Sequence, residues 1–60
     1  MFLKLTPNIH ESNPIFLNVK NIASMQEGSA FFEDITIIYT FDGRVINVYE
    51  TVEEILAQKP

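Results

Sequence analysis

The apolar positions between Ile35 and Tyr49 make the sharpest pattern in the chain. Ile35-Thr36-Ile37-Ile38-Tyr39-Thr40-Phe41 is dense in β-branched and aromatic residues, which suit a pleated, half-buried surface. Arg44-Val45-Ile46-Asn47-Val48-Tyr49 repeats that character, and Asp42-Gly43 between them is the preferred pair for a two-residue type I′ turn. The pattern predicts a β-hairpin whose turn sets its register. Phe41 then faces Arg44, Tyr39 faces Ile46 and Ile37 faces Val48. One face carries Ile35, Ile37, Tyr39, Phe41, Ile46 and Val48 and is the expected core. The opposite face carries Thr36, Ile38, Thr40, Val45, Asn47 and Tyr49. On it Ile38, Val45 and Tyr49 form an apolar strip, and exposed strips of this kind mark interaction sites.

Upstream, Phe2 to Leu5 reads as a short strand stopped by Thr6-Pro7-Asn8, since Pro7 has no N–H to give a ladder. Asn8 to Pro14 is loop-like and closes on an Asn-Pro turn signal. Ile15 to Val19 predicts a second strand, apolar enough to be central or covered on both sides. A tight turn at Val19 to Asn21 leads to a third strand over Ile22 to Gln26. Glu27-Gly28-Ser29-Ala30 reads as a break. Phe31 and Phe32 follow; in extended chain they point to opposite faces, so one of them leaves the monomer core. At the C-terminus Thr51-Val52-Glu53-Glu54 carries the capping-box pattern of a helix start. Val52, Ile55 and Leu56 supply a stripe with which this helix docks on a sheet. The expected fold is a small, mainly β domain spanning residues 1–60. It has four or five antiparallel strands, curled or barrel-like, and one short C-terminal helix.

Size changes this picture. A domain of 60 residues buries only about 60% of the surface its unfolded chain exposes. The chain has no cysteine, so no disulfide can staple it. Self-association is the remaining common staple, and a homo-oligomer is expected, with Phe31, Phe32, Ile38, Val45 and Tyr49 as its interface. The net charge of −4 argues against duplex nucleic acid as a partner, because such binding draws on clustered Lys and Arg. Apolar runs fall short of the roughly 20 residues of a membrane-spanning helix, and the N-terminus lacks a signal-peptide pattern, so no membrane role and a cytoplasmic location are expected.

The chemistry-bearing residues are few. His10 is the sole histidine, sits in a polar loop and has no evident partner, whereas general acid–base work needs a positioned pair. Ser12, Ser24 and Ser29 lack the strand–turn–helix context of an activated nucleophile. Glu33, Asp34, Asp42, Glu50, Glu53 and Glu54 lack the regular spacing of a metal loop. Gly28 and Gly43 are the only glycines, too few for a phosphate-cradling loop. No catalytic residue, metal or cofactor is therefore expected. Arg44 can grip an anion with its planar fork. With Tyr39 and Asn47 it forms the candidate site for a small anionic ligand.

Ile35 to Tyr39, Asp42-Gly43 and Val48-Tyr49-Glu50-Thr51-Val52-Glu53-Glu54-Ile55 resemble the FlbD/SwrD-like small flagellar proteins, and Leu3-Lys4-Leu5-Thr6, Leu17-Asn18 and Ile22 extend the similarity to most of the chain. Small phage and prophage proteins share the pattern. The resemblance implies a compact sheet with a C-terminal helix and no enzymatic activity. The stretches Asn8–Pro14 and Glu27–Glu33 depart from it as a longer loop and an insertion. The expected function is that of a non-catalytic, oligomeric binding or regulatory protein acting on another protein. The alternative is a phage-type counter-defence protein that sequesters an anionic nucleotide signal in pockets between subunits.

Overall fold

The computed structural model describes residues 1–7, 13–30 and 32–58. Strands β1 (Phe2–Leu5) and β2 (Ile15–Asn18) pair antiparallel, with Leu3 opposite Leu17 and Leu5 opposite Ile15. A 3₁₀ turn over Val19–Asn21 follows, opened by the Asn18 side chain accepting the Lys20 N–H at 3.0 Å. It leads into β3 (Ile22–Ala30), which pairs with β4 (Glu33–Thr40); β4 in turn pairs with β5 (Val45–Val48). Helix α1 (Val52–Ala57) closes the chain. The fold is thus mainly β, with five strands in two antiparallel sheets, and the sheets do not close into one barrel. No helix among the described residues is long and apolar enough to cross a membrane.

Several local expectations change. Among the described residues β2 has β1 as its only ladder partner, and it leaves Phe16 exposed, so it is a one-faced strand rather than a central one. The expected break at Glu27–Ala30 is instead the second half of β3. Gly28 is accommodated there because Ile37 folds over it: an added Cβ would meet Ile37 Cδ1 at 3.1 Å. A missing side chain in a strand of this kind commonly marks such a close approach. The chain reverses between Ala30 and Glu33, and Phe32 takes the left-handed conformation at φ 64°. The Phe32 backbone is therefore in a turn and not extended.

The hairpin β4–β5 forms where expected but in a different register. Tyr39 lies opposite Val45, Ile38 opposite Ile46 and Thr36 opposite Val48. Its loop has three residues, Phe41, Asp42 and Gly43. Gly43 N–H donates to Thr40 O at 3.2 Å, Thr40 N–H donates to Arg44 O at 3.0 Å, and Gly43 stands at φ 88°. Asp42 keeps a negative φ, which a type I′ turn forbids. This is the type I turn followed by a left-handed glycine, the next most common hairpin connection. Thr40 anchors it: its hydroxyl accepts the Arg44 N–H at 2.9 Å and donates to Asp42. Gly43→Ala should cost about 1–2 kcal/mol, the penalty of a left-handed L-residue, read as a lower urea midpoint; an unchanged midpoint would remove the three-residue loop.

A one-residue slip turns every side chain to the other face. Here the slip inverts β4 relative to β5: β4 turns inward the face expected to be outside, while Ile46 and Val48 of β5 stay on the core side as expected. Leu3, Leu5, Leu17, Ile38, Val48 and Ile55 form one buried cluster, with Ile15, Val19, Ile22, Met25 and Ile46 packed against it. Ile38 is at the centre with no exposed surface. Thr36 and Thr40 are also buried on this face, their hydroxyls bonded internally, Thr36 Oγ1 to Glu50 O at 2.7 Å. Phe41, expected inside, projects from the loop.

Helix α1 begins as its sequence specifies. Thr51 Oγ1 accepts the Glu54 N–H at 3.0 Å, and the Glu54 carboxylate accepts the Thr51 N–H at 3.2 Å. Of its stripe, Ile55 enters the core while Leu56 stays exposed. The turn after α1 and the bend before it also seal the free edge of β1. Gln58 pairs with Lys4 like a piece of strand, accepting its N–H at 3.0 Å and donating to its C=O at 3.1 Å. Glu50 accepts the Thr6 N–H and hydroxyl, both at 2.7 Å, and Tyr49 N–H donates to Thr6 O at 2.9 Å. An edge blunted in this way offers nothing to a passing strand.

Candidate interaction surface

With the even-numbered residues of β4 turned inward, the outer face of β3–β4–β5 carries three short rows. Ser24, Tyr39 and Val45 make one, and Gln26, Ile37 and Asn47 the next. Gly28 and Ile35 start the third. Val45 is 62% exposed, Tyr39 and Ile37 are half-buried, and Ile35 is almost covered, leaning with Ile37 over the space at Gly28. The outcome is an apolar patch flanked by amide and hydroxyl side chains. Ile35, Ile37, Tyr39 and Val45 all lie outside the buried core cluster.

Other large apolar groups face outward too. Phe2 and Phe16, 62% and 64% exposed, sit diagonally across β1–β2, with Lys4 directly opposite Phe16. Phe41 and Phe32 stand at two loop ends. Of the five expected interface residues, Val45 and Phe32 are exposed and Tyr49 is half-buried. Ile38 is corrected to the core, for the register reason given above. Phe31 lies outside the described residues, as do His10 and Ser12. The sequence reading missed Ile37, Tyr39, Phe2 and Phe16 as outward groups. Only the loop length could have revealed the first two.

The candidate ligand residues do not converge. Tyr39 and Asn47 are diagonal neighbours on the outer face. Arg44 immediately precedes β5, closing the loop opposite Thr40, and its Nε is already paired with the Asp42 carboxylate at 3.1 and 3.3 Å. The Thr40 hydroxyl, with Arg44 and Asn21 assisting, holds the Asp42 carboxyl below the usual carboxylate range against a partial desolvation. This pair belongs to the turn and organises it.

A cleft of about 330 Å³ lies between the ends of β3 and β4 and the start of α1, lined by Glu27, Gly28, Asp34, Ile35, Thr36, Thr51 and Val52. Its two carboxylates come from opposite strands. The hydroxyls of Thr36 and Thr51 are both committed, to Glu50 O and to the helix cap. Among the described residues no group of three or more acidic or histidine side chains is placed to hold a metal ion.

No family model matches the chain, and no curated protein and no solved structure matches it.

Proposed function

We propose that this is a non-catalytic binding protein of regulatory type, which assembles with copies of itself and acts through contacts with other protein surfaces. The observation that carries the reading is the apolar outer face around Val45, Tyr39 and Ile37, left uncovered by a chain whose own core is a handful of side chains. Burying such area is worth roughly 25 cal/mol per Å², and a small domain without disulfides gains stability by doing so. Two such faces can pack as sheets do, about 10 Å apart. The net charge of −4 favours a basic surface on any further partner, chiefly through the rate of encounter.

Sedimentation velocity at tens of micromolar tests the reading. Wild-type protein is expected to sediment as an assembly. Val45→Glu alters a side chain outside the core, so the fold should hold, while the assembly mass falls. A wild-type chain that is monomeric throughout, or a Val45→Glu assembly of unchanged mass, would contradict it.

A further inference from the structure

We infer that β3 offers its free edge to the β3 of a second copy, joining two three-stranded sheets into one of six strands. This contact goes beyond the packing of outer faces and does not require it. Three observations lead here. First, β3 is an edge strand of nine residues, Ile22–Ala30, with none of residues 22–29 buried and neither proline nor lysine to discourage pairing. The chain treats its β1 edge differently, spending Gln58, Glu50 and Tyr49 on it. Where α1 approaches β3, Thr51 and Val52 face Glu27 and Gly28 across the cleft, and no backbone hydrogen bond between the two elements occurs among the described residues.

Second, the register shows which groups are free. Thr40 N–H bonds towards β5, so the even residues of β4 serve β5 and the odd ones, Ile35, Ile37 and Tyr39, serve β3. Their partners are Gly28, Gln26 and Ser24. Met25, Glu27 and Ser29 between them therefore aim N–H and C=O away from the sheet.

Third, the strand is complementary to itself. An antiparallel two-fold pairing over its full length is centred on Gln26. It sets Met25 and Glu27 opposite the partner's Glu27 and Met25, the positions whose backbone groups point outward. Gln26 meets its own counterpart, and two side-chain amides can both donate and accept. Glu27 is the one charged residue of β3, and this pairing keeps it from standing opposite its copy. A closed two-fold dimer follows, the commonest symmetry of soluble oligomers.

The test is sedimentation in the Val45→Glu background, where the outer-face contact is removed. That protein is expected to be a dimer. Adding Glu27→Pro removes an outward N–H without touching the β3–β4 ladder, a position where strands tolerate proline. The dissociation constant should rise on the order of 100-fold, through two lost central hydrogen bonds and their stranded acceptors. Gln26→Lys, which changes an exposed side chain alone, should also dissociate the dimer by placing like charges face to face, more weakly in high salt. Circular dichroism confirms folding of each variant. If Val45→Glu protein is already monomeric, or if folded Gln26→Lys and Glu27→Pro variants dimerise as before, the edge pairing is overturned. In the second case the outer-face reading stands or falls on its own test.

Discussion

Ile38→Ala is expected to remove about 2–5 kcal/mol of stability, the cost of a cavity at a closed site. Ile38 has no exposed surface and touches the cluster that joins both sheets and the helix. Small domains rest on a margin near the low end of 5–15 kcal/mol. The variant should be largely unfolded at 37 °C, with a collapsed urea midpoint. The outcome separates the two registers of the hairpin. With the two-residue turn, Ile38 would be outside, and alanine there would leave folding nearly unchanged while weakening association. A loss below about 0.5 kcal/mol, the range of ordinary surface changes, would restore that register.

Glu50→Ala carries the second largest effect. The carboxylate accepts both polar hydrogens of Thr6 at 2.7 Å, in a part-buried place where β1 meets the end of β5. Hydrogen bonds to a charged group contribute about 1.5–3 kcal/mol, and losing both should cost about 2–4 kcal/mol because neighbouring losses do not add. Glu50→Gln keeps one acceptor for the Thr6 N–H. Its amide can also donate to the Thr6 hydroxyl, which rotates to accept. The glutamine variant should therefore fall by only about 1 kcal/mol. Equal losses for Ala and Gln in urea unfolding would mean that the carboxylate does not tie the two sheets together.

Element identity was legible in the sequence because it rests on local chemistry. Thr51 and Glu54 announce the helix start, Val19–Asn21 the turn, and the β-branched runs the last hairpin. The face of β5 was legible too, with Ile46 and Val48 inward, but that of β4 was not, and the cause is specific. Asp42-Gly43 serves a two-residue turn and equally the end of a three-residue one, and the two differ by one residue of register. Counting apolar side chains favours the face of Ile35, Ile37, Tyr39 and Phe41 over that of Thr36, Ile38 and Thr40. The count fails because a buried threonine costs little once its hydroxyl is bonded, as Thr36 is to Glu50 O and Thr40 to the loop. Gly28 misled in the same way. It reads as a break, yet its missing side chain is the space Ile37 needs. The interaction surface inherits these errors, since a slip exchanges Ile38 for Ile37 and Tyr39 as the groups a partner would meet.

The register of β4 on β5 is therefore the claim on which core, surface and assembly all depend. Two-dimensional NMR contacts between Hα protons read it directly, because these protons come closest across non-hydrogen-bonded antiparallel pairs. The three-residue loop predicts Tyr39–Val45 and Ile37–Asn47 contacts. Contacts of Thr40 with Val45 and of Ile38 with Asn47 would instead establish the two-residue turn, put Ile38 outside and contradict the account.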